Sequence, residues 1–143
     1  MKTKLIYSDF DPELGESVAL IESKYGNFYG FAQCHPDEDK PSPFVGCEIA
    51  EVRARMNVIT CQIEDKRLKI KGLNELEDLL RQKPNCNYES AEWRALRKYR
   101  YVLQDEIDNL IGCKKAMKAA IYRKLDAREE FYKRVMAKKN KGE

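Results

Sequence analysis

Residues 45–80 read VGCEIAEVRARMNVITCQIEDKRLKIKGLNELEDLL. Val45, Ile49, Val52, Met56, Ile59, Ile63, Ile70, Leu73 and Leu80 recur at alternating spacings of three and four, with only Lys66 and Glu77 breaking the stripe. A seven-residue apolar repeat of this length is the signature of a long helix that buries one seam. Beyond Pro84 a second stripe follows: Trp93, Leu96, Leu103, Ile107, Leu110, Met117 and Ile121, broken at Arg100 and Lys114. The connector Lys83-Pro84-Asn85-Cys86-Asn87-Tyr88 is short, so the two helices are expected to lie antiparallel. Helix one is placed at about 44–82 and helix two at about 89–139, roughly 55 and 70 Å long at 1.5 Å per residue.

Working outward, residues 1–40 have strand character. Leu5-Ile6-Tyr7 is a short strand candidate, and Pro12 and Gly15 mark a loop. Ser17 to Lys24 and Phe28 to Cys34 flank Tyr25-Gly26-Asn27 and read as a β-hairpin. In the second of these strands Phe28, Gly30, Ala32 and Cys34 share one face, and Tyr29, Phe31 and Gln33 the other. A glycine inside a strand weakens it unless another backbone comes close, which makes Gly30 a position to watch. The expected class is α+β. A small N-terminal antiparallel sheet precedes a long two-helix hairpin, all within one domain of 143 residues.

Outside the seam the helices still carry Leu76, Leu79, Tyr99, Tyr101, Ile111 and Tyr122. One hairpin cannot bury all of these, so self-association is expected, as a dimer or a higher assembly such as a hexamer. Gly72 and Gly112 are expected to mark bends or close contacts.

Composition narrows the function classes. No apolar run approaches the roughly 20 residues of a membrane span, and the N-terminus does not read as a signal peptide. The five cysteines are odd in number and widely spaced, and His35 is the single histidine. Neither a disulfide framework nor a zinc site is expected, and a cytoplasmic setting follows. His35 with Asp37 and Asp39 lacks the spacing that aims side chains at one metal, and Cys34 and His35 point to opposite faces of a strand. No nucleotide-loop or hydrolase motif occurs, and the expectation is a protein that is not an enzyme, with no cofactor and no metal.

The remaining signal is cationic and aromatic. Arg53 and Arg55 on helix one are either partners of Glu48 and Glu51 or a phosphate clamp. Around the inter-helix turn stand Asn85, Asn87, Tyr88, Trp93, Arg94, Arg97, Lys98, Tyr99, Arg100 and Tyr101. Aromatic rings stack bases, amides read base edges and guanidinium groups hold phosphates. Arg100 sits on the apolar seam and needs a partner. Glu77 stands at a suitable antiparallel height, and a ligand phosphate is the other choice. The lysine-rich end after Lys114 suits either a solvated helix terminus or an anionic partner.

One block carries a resemblance. Lys24-Tyr25-Gly26-Asn27-Phe28-Tyr29-Gly30-Phe31-Ala32-Gln33-Cys34-His35-Pro36-Asp37-Glu38, followed by Gly46-Cys47-Glu48-Ile49-Ala50-Glu51-Val52-Arg53-Ala54, resembles the Thoeris anti-defence one family of phage proteins. The likeness spans residues 18 to 56; beyond them it is one of architecture. It implies an oligomeric protein that binds glycocyclic ADP-ribose without cleaving it, with cyclic oligonucleotides bound by some members at a separate site. It further implies Arg53 or Arg55, and Arg97 or Arg100, as phosphate ligands. Asn87, with Asn85 as the second choice, would read the base, and Tyr88 or Trp93 would stack on it. The rival expectation is a small nucleic-acid-binding accessory protein of phage, using the basic end and the segment from 93 to 101.

Overall fold

A computed structural model describes residues 2–33, 43–85 and 87–141. Three strands, β1 (Lys4–Asp11), β2 (Glu16–Ser23) and β3 (Gly26–Gln33), precede two helices, α1 (Pro43–Arg81) and α2 (Ala91–Lys141). The sheet is an antiparallel meander in the order β1-β2-β3, so the class is α+β, as the sequence predicts.

Two details differ from the sequence reading. β1 is eight residues long rather than three, because it pairs with β2 from Lys4 opposite Glu22 to Asp11 opposite Glu16, with a register shift between Leu5 and Tyr7. The β1–β2 turn closes at Gly15, whose φ of 66° is reached at low cost by glycine. Its N–H donates to the Asp11 carbonyl oxygen (2.8 Å), while the Asp11 carboxylate accepts from the Glu13 N–H (2.9 Å). The second hairpin turns one residue earlier than expected. Ser23 pairs with Gly26, leaving Lys24 and Tyr25 as the loop, and Gly26 takes φ 116°.

One face of the sheet packs on α1 through small side chains. Gly46, Ala50 and Ala54 recur every fourth residue and so lie along one line of the helix. Ala50 and Ala54 are fully buried, as are Ala19 and Ile21 on β2. A Cβ on Gly30 would run into the Ala50 carbonyl oxygen and the Ala54 backbone, and one on Gly46 into Ser17 Oγ. The close backbone approach that Gly30 requires is therefore present. Ile21, Ala54 and Val58, with Phe28 alongside, continue the contact toward the second hairpin.

The opposite side of α1 carries the seam with α2. Ile59, Ile63 and Ile107 form its centre with Ile70, Leu110, Ile111 and Met117 packed around them, and Ile121 closes a cluster with Ile49 and Ala50. Ile111, expected on an outer face, thus belongs to the core. Both polar interruptions on α1 are paired: Lys66 with Glu106 at 2.7 Å, and Glu77 with Arg100. Glu48 pairs with Lys124 near the far end, which sets the antiparallel level of the helices. α1 is consequently the middle layer, between the sheet and α2. At 39 and 51 residues the helices are about 58 and 76 Å long.

Leu76, Leu79, Tyr99, Tyr101 and Tyr122 remain exposed, together with Leu68 and Val102. Among the described residues Gly72 and Gly112 have no neighbour close enough for a Cβ to meet, so the close contacts expected at them are not present there. Among the described residues no helix is long and apolar enough to cross a membrane.

Candidate functional site

The inter-helix turn is built around Trp93. Ser90 caps α2, its hydroxyl accepting from the Trp93 N–H at 3.4 Å, and the Asn87 side chain accepts from the Glu89 N–H at 3.0 Å. Asn85 takes a left-handed φ of 63°, a conformation asparagine tolerates better than most residues. Trp93 is 5% exposed. Tyr88 covers it at a centroid distance of 4.9 Å, and the Arg81 guanidinium carbon lies 5.8 Å from its centroid. Trp93 therefore anchors the turn and offers no free face to a base. Tyr88, 52% exposed, is the aromatic open to a ligand.

Arginines surround this ring pair. Arg97 donates from Nη2 to the Tyr88 carbonyl oxygen at 2.8 Å, which leaves further donors of its exposed guanidinium free in geometry to meet an anion. Arg100 contacts the buried Glu77 carboxylate, which also lies 3.9 Å from Arg81. Arg100 Nε is buried and has no hydrogen-bond partner among the described residues. Arg81 also stands 3.9 Å from Asp78, and Arg94 3.8 Å from Glu89. Both are exposed pairs, whose cations exchange partners at low cost.

Arg53 and Arg55 lie elsewhere. Arg53 donates from Nη1 to the Phe31 carbonyl oxygen at 2.7 Å, and Asn57, one turn on, donates to the Tyr29 carbonyl oxygen at 2.8 Å. Tyr29 and Phe31 are two apart on β3, which has no further strand beside it among the described residues, so the helix side chains cover acceptors along that edge of the sheet. Arg55 contacts Thr3 Oγ1 and pairs with Glu51 at 2.8 Å.

Beside Thr3 opens a bay of about 680 Å³ lined by Lys2, Thr3, Lys4, Glu22, Ser23 and Lys24. Lys24 Nζ sits 5.3 Å from the Tyr25 ring centroid. Sequence reasoning missed this basic bay. The signal was there in Lys2, Lys4 and Lys24, but only the β1–β2 register, with Lys4 opposite Glu22, draws them together.

The structure thus joins Tyr88, Trp93 and Arg97 by direct contacts, with Asn85 and Asn87 in the same connector and Arg100 about 10 Å beyond Trp93 along α2, and leaves Arg53 and Arg55 at the sheet. Glu77, the partner of Arg100, follows Arg55 by 22 residues on α1, a separation of about 33 Å along the axis. No one pocket within one chain spans both groups. Cys34, His35, Asp37 and Asp39 lie outside the described residues. Among the described residues no group of three potential ligands is placed to hold a metal. Comparison with known proteins finds no matching family model, no matching curated protein and no matching solved structure.

Proposed function

We propose that this chain is a nonenzymatic phage anti-defence protein. It sequesters a cyclic nucleotide immune signal of the ADP-ribose type, in the manner of the family it resembles. The observation that carries the reading is the turn itself. An exposed Tyr88 stands beside Arg97, with Asn87 and Asn85 in the same connector, Arg81 against the Trp93 ring, and Arg94 and Arg100 on the same helix as Arg97. A sponge needs affinity and slow release rather than complementarity to a transition state. Stacking on Tyr88, amide contacts from an asparagine and charge-assisted bonds from Arg97 and Arg100 are suited to a base joined to two phosphates.

Arg53 and Arg55 would join such a site from a second copy. In an antiparallel pair of chains, the turn of one hairpin comes level with the sheet end of the other. Exposed Leu76, Leu79, Tyr99 and Val102 supply an apolar surface for that pairing. The lysine-lined bay beside Thr3 is a separate place for phosphates, suited to the cyclic oligonucleotides that some members of the family take.

The test is calorimetric titration with cyclic ADP-ribose isomers made by a TIR-domain enzyme, followed by heat denaturation and analysis of the released nucleotide. Tight binding with intact nucleotide recovered supports sequestration. A modified nucleotide makes the protein an enzyme. Absence of binding at micromolar protein, with steeply salt-dependent binding to DNA or RNA instead, moves the reading to nucleic acid.

A further inference from the structure

α1 has a bare face that continues its covered one. Gly46, Ala50 and Ala54 meet the sheet, and Gly72 stands eighteen residues beyond Ala54, about five turns, on the same side of the helix. Leu68 and Leu76 lie one turn to either side of Gly72, and Leu79 follows one turn farther on. Leu68, Leu76 and Leu79 are 67%, 44% and 61% exposed, and a Cβ on Gly72 would meet nothing within 4 Å. Pro43, where the chain re-enters the described residues, is about 38 Å down the axis from Leu68. Among the described residues, nothing covers this row.

The charges beside the row have a two-fold order. Arg67 and Lys71 precede Gly72, Glu75 and Asp78 follow it, and all four are exposed on one flank within an arc of about 80°. Among the described residues Arg67, Lys71 and Glu75 make no ion pair, and Asp78 makes only the exposed one with Arg81. A second α1 laid antiparallel across a two-fold axis at Gly72 sets Leu68 level with the second copy's Leu76. It also brings Lys71 within about 3 Å of the level of Glu75, and Arg67 within about 1.5 Å of that of Asp78. Each pairing occurs twice. A parallel pair would set Arg67 beside Arg67 and Glu75 beside Glu75, so the charges select the antiparallel arrangement.

We propose that a second copy of this chain packs antiparallel on this row of α1, with the two-fold axis at Gly72. One patch meets itself, and the contact closes a pair. Gly72 leaves a notch between Leu68 and Leu76 in which the two backbones approach. The second copy's α1 ends at Arg81, level with Ile63 of the first, five residues past Val58, the last α1 residue in the buried sheet cluster. Its turn thus comes to the first copy's sheet end, with its Arg81 about 12 Å along the axis from Arg55. Within one chain those two residues are about 39 Å apart along it. The inference gives the two-copy site proposed above its register, and rests on that reading only for the ligand.

Sedimentation of the full chain without nucleotide tests it. Wild type is expected to pair reversibly. Gly72→Leu fills the notch on both copies and should weaken association roughly tenfold or more, although it raises helix propensity and so leaves each chain folded. Arg67→Glu with Lys71→Glu gives the four flanking positions one sign, and Glu75→Lys with Asp78→Lys gives them the other. Each double variant should associate roughly tenfold more weakly or worse, and an equimolar mixture of the two at least as tightly as wild type. With p-benzoylphenylalanine in place of Leu68, cross-links between isotopically light and heavy copies should map to residues 74–80. A wild-type monomer at all concentrations, variants that associate like wild type, no recovery on mixing, or cross-links elsewhere overturn the proposal. None of these outcomes depends on binding at Tyr88 and Arg97, which the calorimetric titration tests separately.

Discussion

Gly30 and Ala54 meet backbone to backbone. A Cβ at Gly30 would overlap the Ala54 amide nitrogen and the carbonyl oxygen of Ala50 one turn earlier. The distance between sheet and helix is thus set by the absence of one carbon atom, in a contact where no side chain can swing aside.

Gly30→Ala is therefore expected to destabilise the protein at or above the top of the roughly 1–3 kcal/mol range for overpacking. Gly72, on the same helix system with open space around it, gives the opposite sign. There Gly72→Ala is expected to add about 0.5–1 kcal/mol through helix propensity and chain entropy. Urea denaturation of both variants beside the wild type decides the matter. Equal effects at the two glycines would contradict the close sheet–helix contact.

Glu77 is buried and is approached by both Arg100 and Arg81. Replacing it by Leu leaves Arg100 on the seam without its counter-charge. Removing one partner of a buried pair costs about 3–5 kcal/mol. Arg100 is about one-third exposed, so solvent reduces this to about 1–3 kcal/mol. The double change Glu77→Leu with Arg100→Leu is expected to be more stable than Glu77→Leu alone. A double-mutant cycle by thermal denaturation measures the coupling, and strict additivity would show that the two side chains do not depend on each other.

Trp93 and Tyr88 are expected to separate stability from binding. Trp93→Ala empties a buried site and should cost about 3–5 kcal/mol. Tyr88→Ala, at an exposed ring, should cost little stability but weaken binding of a cyclic ADP-ribose isomer at least tenfold. Arg97→Ala should weaken it similarly with the melting temperature nearly unchanged. Full affinity in both the Tyr88 and Arg97 variants would remove the turn as the nucleotide site.

Arg53 and Asn57 cover the Phe31 and Tyr29 carbonyl oxygens. Losing one such hydrogen bond at an exposed position is expected to cost less than about 1.5 kcal/mol. The combined Arg53→Ala and Asn57→Ala variant should show its effect in another way. With the β3 edge uncovered, it should form strand-paired aggregates sooner than wild type under gentle heating, followed by light scattering and thioflavin fluorescence. No acceleration would leave the two side chains without a role at the edge.

The helices were legible because a buried seam imposes a period, and Ile59, Ile63, Leu103 and Ile107 keep it without regard to partner. Glu77 and Arg100 were legible as facing interruptions for the same reason, each breaking a stripe at matching height. The sequence left a ligand phosphate as the other partner for Arg100, and the structure supplies Glu77. β1 was legible only over Leu5-Ile6-Tyr7, since Ser8, Asp9 and Asp11 are poor strand formers that are held by pairing with β2. The turn at Lys24-Tyr25 was displaced by one because Gly26 serves as a strand residue with positive φ. Residue types at the candidate site could be read, but their grouping could not. That Arg55 reaches Thr3, and that Trp93 is roofed by Tyr88, are consequences of packing that no linear spacing reveals.

α1 runs without a break from the sheet to the turn, and this makes residue count a ruler. Adding seven residues to each helix, at matching levels, would move the arginine-rich turn about 10 Å farther from the sheet while keeping the sidedness of the seam. Adding two would rotate the turn by more than half a circle and carry its arginines to another side of the rod. Reach and direction are therefore set by separate features of the chain, the number of repeats and the remainder after dividing by seven. Relatives of this protein could change the span between their two ends without redesigning either one.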